Sequence, residues 1–456
     1  MRPALGLLLS ITAAALPAAA QKPGTLNPEV HPKLQWNSCS ADGSCAKVQG
    51  ELTIDDNWRW VHDAKGYTNC YSDGRWDSRI CTTEANCTAN CVVEGANRDD
   101  YRYGYGVNST GDTVSLRLWT GRDFSSNVNS RLFLLESEDK YQTFTLAGNE
   151  VAFDVDLGSV ECGINAALYF VGMEADGGKK RFPDNEAGAK YGTGYCDASC
   201  PMSLRFVGGK TNSEGWRPDE YGSGGQGYYG ACCPEFALWN GNAHSSLMAS
   251  RNCVMDNYRV CEAAECGVYS DSRFPTCDSW GCRYNAFQMG APDFYGKNKT
   301  LNTLQKFTVV TRFDAQSGNV TRFYIQDGKK IELPFPTWEG LPQQNAITED
   351  VCIKSPEVFD EGPAFVNVGG WQRHRSVLNQ PLVLVMSIST NYWDYNANID
   401  STYPDWDPWQ TAPPGKSNGP CYWEDGRPED VQARYRNAKV VWSNIRFGPI
   451  GSTVKV

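Results

Sequence analysis

The stretch Cys232-Cys233-Pro234-Glu235-Phe236-Ala237-Leu238-Trp239-Asn240-Gly241-Asn242 decides how the rest of the chain is interpreted. Glu235 and Ala237 are predicted to share one face of a β-strand, while the apolar residues at 236 and 238 point into a core. Asn240 has the opposite parity. We therefore expect a bend or bulge near residues 239–241 if the side chains at 235 and 240 serve one cleft.

Short apolar segments with a period of two recur along the chain, and turns rich in Gly, Asp and Asn separate them. Strong helical periodicity is scarce. This pattern predicts an all-β fold, namely a jelly-roll β-sandwich of antiparallel sheets. The predicted strands cover residues 114–118, 131–135, 151–155, 167–171, 204–207, 307–311, 321–325, 382–386 and 440–445.

The N-terminus has the pattern of a secretory signal peptide. Arg2 precedes an apolar run over residues 4–16, and the segment ends with three alanines at 18–20. The run is too short to span a bilayer. Residues 21–456 contain no linker and no tandem repeat, so we expect one domain without a carbohydrate-binding module. The mature protein is predicted to be secreted, extracellular and monomeric.

Composition and net charge restrict the kinds of site and partner that the chain is expected to have. Eighteen cysteines in an exported chain predict a disulfide framework, and the four histidines lack metal-ligand spacing, so no metal or cofactor is expected. The net charge of −11 argues against nucleic-acid and anionic-membrane partners. Four sequons predict a glycoprotein; they begin at Asn86, Asn108, Asn298 and Asn319.

The opening stretch resembles the catalytic strand of glycoside hydrolase family 7, the fungal cellobiohydrolases and endoglucanases, which reads Cys-Cys-x-Glu-x-Asp-x-x-Glu. On that pattern Glu235 takes the nucleophile position. Ala237 replaces the assisting aspartate, and Asn240 replaces the acid/base glutamate. The resemblance implies two curved sheets whose concave face forms a groove or tunnel for a β-1,4-glucan or cellulose chain.

Further motifs resemble the family's substrate groove. They are Asn57-Trp58-Arg59-Trp60, Ser130-Arg131-Leu132-Phe133, the segment from Cys162 to Tyr169, and the segment from Lys190 to Asp197. The substrate-binding residues implied by these motifs are Trp58, Trp60, Arg131, Asn165, Tyr169, Tyr195 and Asp197. Packing beside Cys162 explains Asn165 and Tyr169 equally well.

The resemblance also implies a pairing for all eighteen cysteines. The long connections 253–300 and 389–436 resemble the disulfide-stapled loops with which cellobiohydrolases roof the groove. The implied disulfides are Cys39–Cys45, Cys70–Cys91, Cys81–Cys87, Cys162–Cys421, Cys196–Cys233, Cys200–Cys232, Cys253–Cys277, Cys261–Cys266 and Cys282–Cys352.

The replaced carboxylates predict weak or absent hydrolysis. A retaining glycosidase needs two carboxyl groups roughly 5 Å apart, one attacking and one protonating the leaving oxygen. Asn240 has no proton to release near neutral pH, and positioned acid/base groups contribute about 10² to 10⁴-fold in rate. Ala237 removes a second oriented charge. We therefore expect a catalytically impaired glucan-binding protein, a pseudoenzyme.

Other family positions on the product side are also changed. Residues 387–391 read Ser-Ile-Ser-Thr-Asn where the family has Ser-Leu-Trp-Asp-Asp, and Asn398 aligns with a second family Trp. Arg251 aligns with a family His, and Gln288 aligns with a family Arg. Trp393 is positioned in the sequence to compensate for a lost stacking residue.

Two alternatives stay open. The chain is an active retaining β-1,4-glucanase if another carboxylate, such as Glu174, Asp197 or Asp400, reaches the leaving group. It is a non-catalytic secreted interaction protein if the groove no longer meets glucan. The aromatic pair Trp58 and Trp60 favours glucan binding over the second alternative.

Overall fold

The computed structural model describes residues 21–122, 125–219, 224–267, 275–402 and 414–455. The predicted signal peptide lies outside these residues, as do parts of both long connections, 253–300 and 389–436. Within the described residues, no helix combines the length and the apolar character that a membrane crossing requires.

Eight strands form a first row in which every neighbouring pair is antiparallel. Glu235 lies on the sixth strand. In order of pairing the strands are Lys33–Cys39, Cys45–Ile54, Ser130–Ser137, Leu382–Ser389, Asn165–Val171, Glu235–Gly241, Ser246–Arg251 and Cys282–Asn285.

A second row packs against the first and is also antiparallel. Its strands, in order, are Val107–Thr110, Thr113–Arg117, Lys439–Pro449, Asn149–Asp156, Phe307–Phe313 and Val320–Gln326, and the last of these pairs with both Lys329–Glu332 and Ala346–Ile347. One parallel pairing, of Asn37 and Ser38 with Arg446 and Phe447, joins the two rows.

The two rows enclose a common apolar core. Leu132 and Leu134 of the first row pack in the same cluster as Phe153 and Val309 of the second. Phe133, between the two leucines, belongs to a cluster on the opposite face. This alternation is the period-two pattern of the sequence, because successive side chains of a strand point to opposite faces. The predicted β-sandwich is confirmed.

The predicted strands agree with the structure except in one place. Only Phe206–Val207 is extended within the predicted segment 204–207. Two of the shorter strands, Lys140–Tyr141 and Thr143–Phe144, pair with strands of the first row. The others pair among themselves; they are Lys22–Pro23, Val61–Asp63, Tyr71–Ser72, Arg75–Trp76, Cys91–Val93, Trp119–Arg122, Ser125–Val128, Lys210–Thr211, Arg217–Pro218, Gly225–Gln226, Tyr229–Cys232, Arg259–Glu262, Tyr295–Gly296 and Leu301–Asn302.

Helices are few and lie in the connections. The α-helices are Glu84–Asn90, Glu349–Val358, Ala364–Asn367, Gly370–Leu378, Ala397–Asp400 and Pro428–Arg434; the 3₁₀ turns are Asp56–Trp58, Ala189–Tyr191, Ala263–Cys266 and Trp423–Gly426, and Asp100–Gly104 is a π turn. Thr348 caps the second α-helix by accepting a hydrogen bond from the Val351 N–H (3.2 Å). A polar start capped in this way was detectable in the sequence.

All nine disulfides implied by the resemblance are present in the structure. Cys196–Cys233 and Cys200–Cys232 fix the segment before Glu235 to the loop that carries Asp197. Cys162–Cys421 spans 259 residues and ties the second long connection to the first row of strands. The disulfides therefore hold the loops around the face that carries Glu235.

Candidate active site

The strand Glu235–Gly241 contains the irregularity that its sequence predicted. Ala237 pairs with Ala249 and Asn240 pairs with Leu247, so two residues, Leu238 and Trp239, oppose one residue of the neighbouring strand. Leu238 and Trp239 both pack into the common core. This bulge reverses the parity of the strand, so that Asn240 returns to the face of Glu235.

The bulge lies slightly before the predicted position. Residues 239–241 pair regularly with the strand Asn165–Val171, and the register changes before Trp239. Gly241 has a different role. A Cβ atom on Gly241 would lie 2.7 Å from the Ser245 carbonyl oxygen, so glycine permits the close approach of the following turn.

Glu235 is buried and paired with a cation. Its side chain contacts the Arg251 guanidinium, which lies directly opposite on the neighbouring strand. Only 5% of Glu235 is exposed. Burial raises the pKa of Glu235 above its ordinary value, and the charge of Asp197 adds to the rise, whereas Arg251 and the Ala198 N–H oppose it.

The same guanidinium also reaches Asn240. When the Asn240 amide is oriented so that its nitrogen donates to the Trp239 carbonyl oxygen (2.8 Å), its oxygen accepts from Arg251 Nη2 (3.3 Å). Arg251 therefore bridges Glu235 and Asn240, the two positions at which the resemblance places the nucleophile and the acid/base. We name these three residues the Arg251 bridge.

The position of the assisting aspartate is apolar. Ala237 is fully buried with Leu247, Ala249 and Ile399. Ile399 belongs to the short helix Ala397–Asp400, which packs on this face of the strand. An ionised carboxylate at 237 would lose hydration in these surroundings unless a partner compensated for it.

Next to the Arg251 bridge, four of the predicted substrate-binding residues form one polar cluster. The Tyr169 and Tyr195 hydroxyls are 2.8 Å apart, and Tyr195 donates to Asp197 Oδ2 (2.5 Å). The Arg131 guanidinium lies 3.2 Å from the centroid of the Tyr195 ring and donates from Nε to Asp55 Oδ2 (2.7 Å). Burial raises the pKa of both tyrosines, and the charges of Asp197 and Glu235 contribute to the rise.

Asn165 lies at the other end of its strand, paired with Ser389. Its Oδ1 atom is buried and has no hydrogen-bond partner among the described residues. Tyr169, by contrast, packs in an apolar cluster with Val171 and Tyr195 and uses its hydroxyl in the polar cluster. Tyr169 therefore belongs to the polar cluster, whereas Asn165 does not. From the sequence alone, packing beside Cys162 explained both residues equally well.

The two predicted aromatic platforms have different surroundings. Trp58 donates from Nε1 to the Val128 carbonyl oxygen (3.2 Å), and its ring lies 5.2 Å from the Arg131 guanidinium. Trp60 donates from Nε1 to Asn69 Oδ1 (2.7 Å) and stacks on the His62 ring at 4.0 Å. Trp58 therefore contacts the polar cluster, whereas Trp60 belongs to the neighbouring loop.

Each of the alternative acids named from the sequence already has a hydrogen-bond or ion-pair partner. Glu174 pairs with Arg181 (3.1 Å) at a half-exposed position. Asp197 accepts hydrogen bonds from Tyr195 and Ser199. Asp400 accepts from the Gly163 N–H (2.7 Å) and from Asn242 Nδ2 (2.6 Å), and burial raises its pKa to about 6.

One carboxylate near Arg251 was not named from the sequence. Asp394 accepts from Asn391 Nδ2 (2.7 Å) and from the Asn396 N–H (3.1 Å). Burial raises the pKa of Asp394, and the positive charge of Arg251 opposes that rise. The next residue toward the N-terminus, Trp393, is 70% exposed. Asp394 follows the altered segment 387–391, which was the only sequence signal for it.

The position of the family Arg is also occupied by a polar network. Gln288 is buried and donates to the Gly415 carbonyl oxygen (2.9 Å), and its Oε1 accepts from Arg283 Nε (3.1 Å). Arg283 in turn pairs with Glu361. This network fixes the loop that precedes Cys421, and its cation is neutralised.

The chain matches a protein-family model, described as Glycosyl hydrolase family 7, over residues 23–454. A cellobiohydrolase from Melanocarpus albomyces, solved with cellotetraose, is 47% identical; the match covers 96% of this chain and 100% of that one, with a TM-score of 0.90. A GH7 family cellobiohydrolase from Daphnia pulex is 36% identical over 95% and 100% of the two chains, with a TM-score of 0.91.

A Humicola insolens endocellulase is 30% identical over 95% of this chain and 100% of its own, with a TM-score of 0.78. The higher TM-scores of the two cellobiohydrolases agree with the long stapled connections of this chain. The strand with its bulge, the nine disulfides and the match over nearly the whole length lead to one conclusion: the chain belongs to glycosyl hydrolase family 7.

Proposed function

We propose that the protein binds β-1,4-glucan chains in its groove and hydrolyses them weakly or not at all. The single observation that carries this proposal is the Arg251 bridge. A cation occupies the space between the nucleophile position and the acid/base position. No carboxyl group stands at 240 or 237 to perform the second role.

The bridge opposes glycoside cleavage in two ways. Attack by Glu235 requires a nucleophilic carboxylate, and the ion pair that Oε1 makes with Arg251 lowers the nucleophilicity of that carboxylate. The transition state of glycoside hydrolysis has oxocarbenium character, and a nearby guanidinium disfavours that developing positive charge. Asn240 has no proton to donate to the leaving oxygen.

Glucan binding is supported by the parts of the groove that are kept. Trp58, Arg131, Tyr169, Tyr195 and Asp197 form one connected cluster of rings and polar groups beside Glu235, in which Trp58 is the partly exposed ring. Sugar rings present apolar faces that pack on aromatic rings, with hydroxyls at their edges for hydrogen bonds. The Melanocarpus relative was solved with cellotetraose, which is a ligand of this class.

Cellohexaose tests both halves of the proposal. Binding is expected to raise the melting temperature, because a ligand at about 100 times its Kd adds about 2.7 kcal/mol to the free energy of unfolding. Maltohexaose, with α-1,4 linkages, is the matched control and is expected to give no rise. Chromatography of the same mixtures is expected to show intact cellohexaose. Ordinary release of cellobiose would refute the loss of hydrolysis, and an unchanged melting temperature would refute the binding.

One observation favours a second candidate, a residual retaining glucanase. Asp394 is a buried carboxyl with a raised pKa in the electrostatic range of Arg251, which suits a rewired acid. Dinitrophenyl cellobioside separates the two candidates, because its leaving group needs little protonation. Cellohexaose turnover that disappears in Asp394→Asn, with dinitrophenol release retained, would identify Asp394 as the acid.

The disulfides and the sequons bear on the location and the glycosylation of the protein. We propose that it is secreted as a monomeric glycoprotein, because nine disulfides are typical of an oxidising compartment. Asn86, Asn108 and Asn298 are exposed and Asn319 is half-buried. Glycosidase treatment of protein from a secreting host, followed by mass spectrometry, measures which of them carry glycans.

A further inference from the structure

We propose that Tyr67 is the outermost sugar-binding surface of the groove, where a β-1,4-linked glucose unit beyond Trp60 stacks on the free face of the tyrosine ring. This inference rests on the proposed binding of glucan. It adds a contact that lies outside the motifs by which the chain was recognised.

One contact joins the polar cluster beside Glu235 to Trp58, and a second, separate contact joins Trp60 to Tyr67. The polar cluster beside Glu235 ends at Arg131, whose guanidinium lies 5.2 Å from the Trp58 ring. Trp60 follows two residues later, and its ring stacks with Tyr67 at a centroid distance of 6.3 Å and an interplanar angle of 23°. Tyr67 therefore contacts the segment 58–60, whose first residue contacts the polar cluster.

Trp60 itself is largely covered. The His62 ring stacks on it at 4.0 Å and 27°, and Tyr67 stacks on it from a second position. His62 and Tyr67 make no ring contact with each other among the described residues, so they occupy different parts of the indole surface. The aromatic face left open to a ligand at this end is that of Tyr67, which is 76% exposed.

Tyr67 is held in place before any ligand arrives. It sits on a tight turn closed by backbone hydrogen bonds from Asp63 N–H to the Thr68 carbonyl (2.8 Å) and from Gly66 N–H to the Asp63 carbonyl (3.0 Å). A further bond, from Ala64 N–H to the Asn90 carbonyl (2.8 Å), fixes the turn to the helix Glu84–Asn90. A pre-ordered ring loses little conformational entropy on binding, which favours its use as a platform.

The chemistry of the ligand follows from the ring. A large, exposed aromatic face on a rigid turn suits the apolar face of a pyranose and requires no charge on the ligand. Its position beside Trp60 suits a long chain that already fills the groove. A cellulose chain meets both conditions.

The test is adsorption to phosphoric-acid-swollen cellulose, which offers long chains. Tyr67→Ser is expected to weaken binding about fivefold to tenfold, the range for loss of one aromatic contact. Tyr67→Phe keeps the ring and is expected to bind as the unmodified protein does. Phe335→Ser is the control, because Phe335 is 54% exposed and lies in the connection between the second-row strands Lys329–Glu332 and Ala346–Ile347.

Equal melting temperatures of the three variants and the unmodified protein would show that folding is intact. Unchanged adsorption of Tyr67→Ser would overturn this inference and leave the proposed function standing. Equal weakening by Phe335→Ser would also overturn it, because the effect would then be general to exposed rings. An unmodified protein that does not adsorb would overturn both proposals together.

Discussion

Replacing Arg251 with methionine is expected to destabilise the protein strongly at neutral pH. Methionine keeps much of the length and apolar volume of the side chain but removes the charge that faces Glu235. The Glu235 and Arg251 side chains are only 6% and 12% exposed, so the carboxylate would be left buried without its partner. Breaking a buried ion pair on one side costs about 3–5 kcal/mol. For a chain of this size, that is a fall in melting temperature of roughly 3–5 °C.

The destabilisation has a defined pH dependence. Burial already raises the pKa of Glu235 above its ordinary value in the folded protein, and loss of Arg251 removes the main opposing interaction. A carboxyl whose folded pKa is raised costs nothing below its unfolded pKa, where it is protonated in both states. The cost grows as the pH rises from the unfolded pKa to the folded pKa and is complete above the folded pKa. The difference in melting temperature is therefore expected to be small below about pH 4 and to reach its full size near pH 7.

Calorimetric scans of the unmodified protein and Arg251→Met from pH 3.5 to 7.5 measure this difference. Arg181→Met is the matched control, because it breaks an ion pair with Glu174 whose side chains are 38% and 36% exposed, and such pairs contribute about 0–1 kcal/mol. Adding Glu235→Gln to Arg251→Met is expected to recover most of the loss at pH 7. An equal fall in melting temperature at pH 4 and pH 7 would refute the electrostatic reasoning and assign the effect to lost packing.

Three further predictions concern the site and its supports. The double variant Ala237→Asp with Asn240→Glu is expected to raise cellohexaose hydrolysis by about 10²-fold or more, measured as reducing ends; no gain would show that the missing carboxyls do not limit the rate. Asp400 has its pKa raised to about 6, so the unmodified protein should lose stability as the pH rises from about 4 to 6. In Asp400→Asn the melting temperature is expected to depend less on pH in this range, and an unchanged dependence would contradict the prediction. Replacing Cys162 and Cys421 with alanine is expected to cost about 2–5 kcal/mol in unfolding free energy, while an unchanged denaturation midpoint would show that the long connection is held by other contacts.

The strands were predictable from the sequence because their signal is local. Alternating apolar residues define segments such as Ser130–Ser137 and Asn149–Asp156, and the structure pairs both in the two rows. The helices Glu349–Val358 and Gly370–Leu378 were missed. The first contains Pro356, and the second begins with two glycines in the left-handed region, at 369 and 370, so neither shows a clean helical pattern.

The candidate site was only partly predictable. The parity of Glu235 and Asn240 required an irregular strand, and that part of the site followed from backbone geometry alone. The reach of Arg251 to both side chains did not follow, because it depends on the cross-strand register and on the rotamer of a long side chain. Asp394 was missed because its position depends on the path of a loop, in which Tyr395 and Asn396 both have positive φ.

The bulge at Leu238 and Trp239 places residue 240 on the face of Glu235 through backbone pairing, which does not involve the side chains at 237 and 240. We therefore expect substitutions at 237 or 240 to change the chemistry of the site more than the path of the strand. Under the proposed function, substitutions at two positions of one strand separate a protein that cuts a polymer from one that only retains it. Substitutions at those two positions, rather than overall identity to characterised cellulases, should decide how an uncharacterised homologue of this chain is classified.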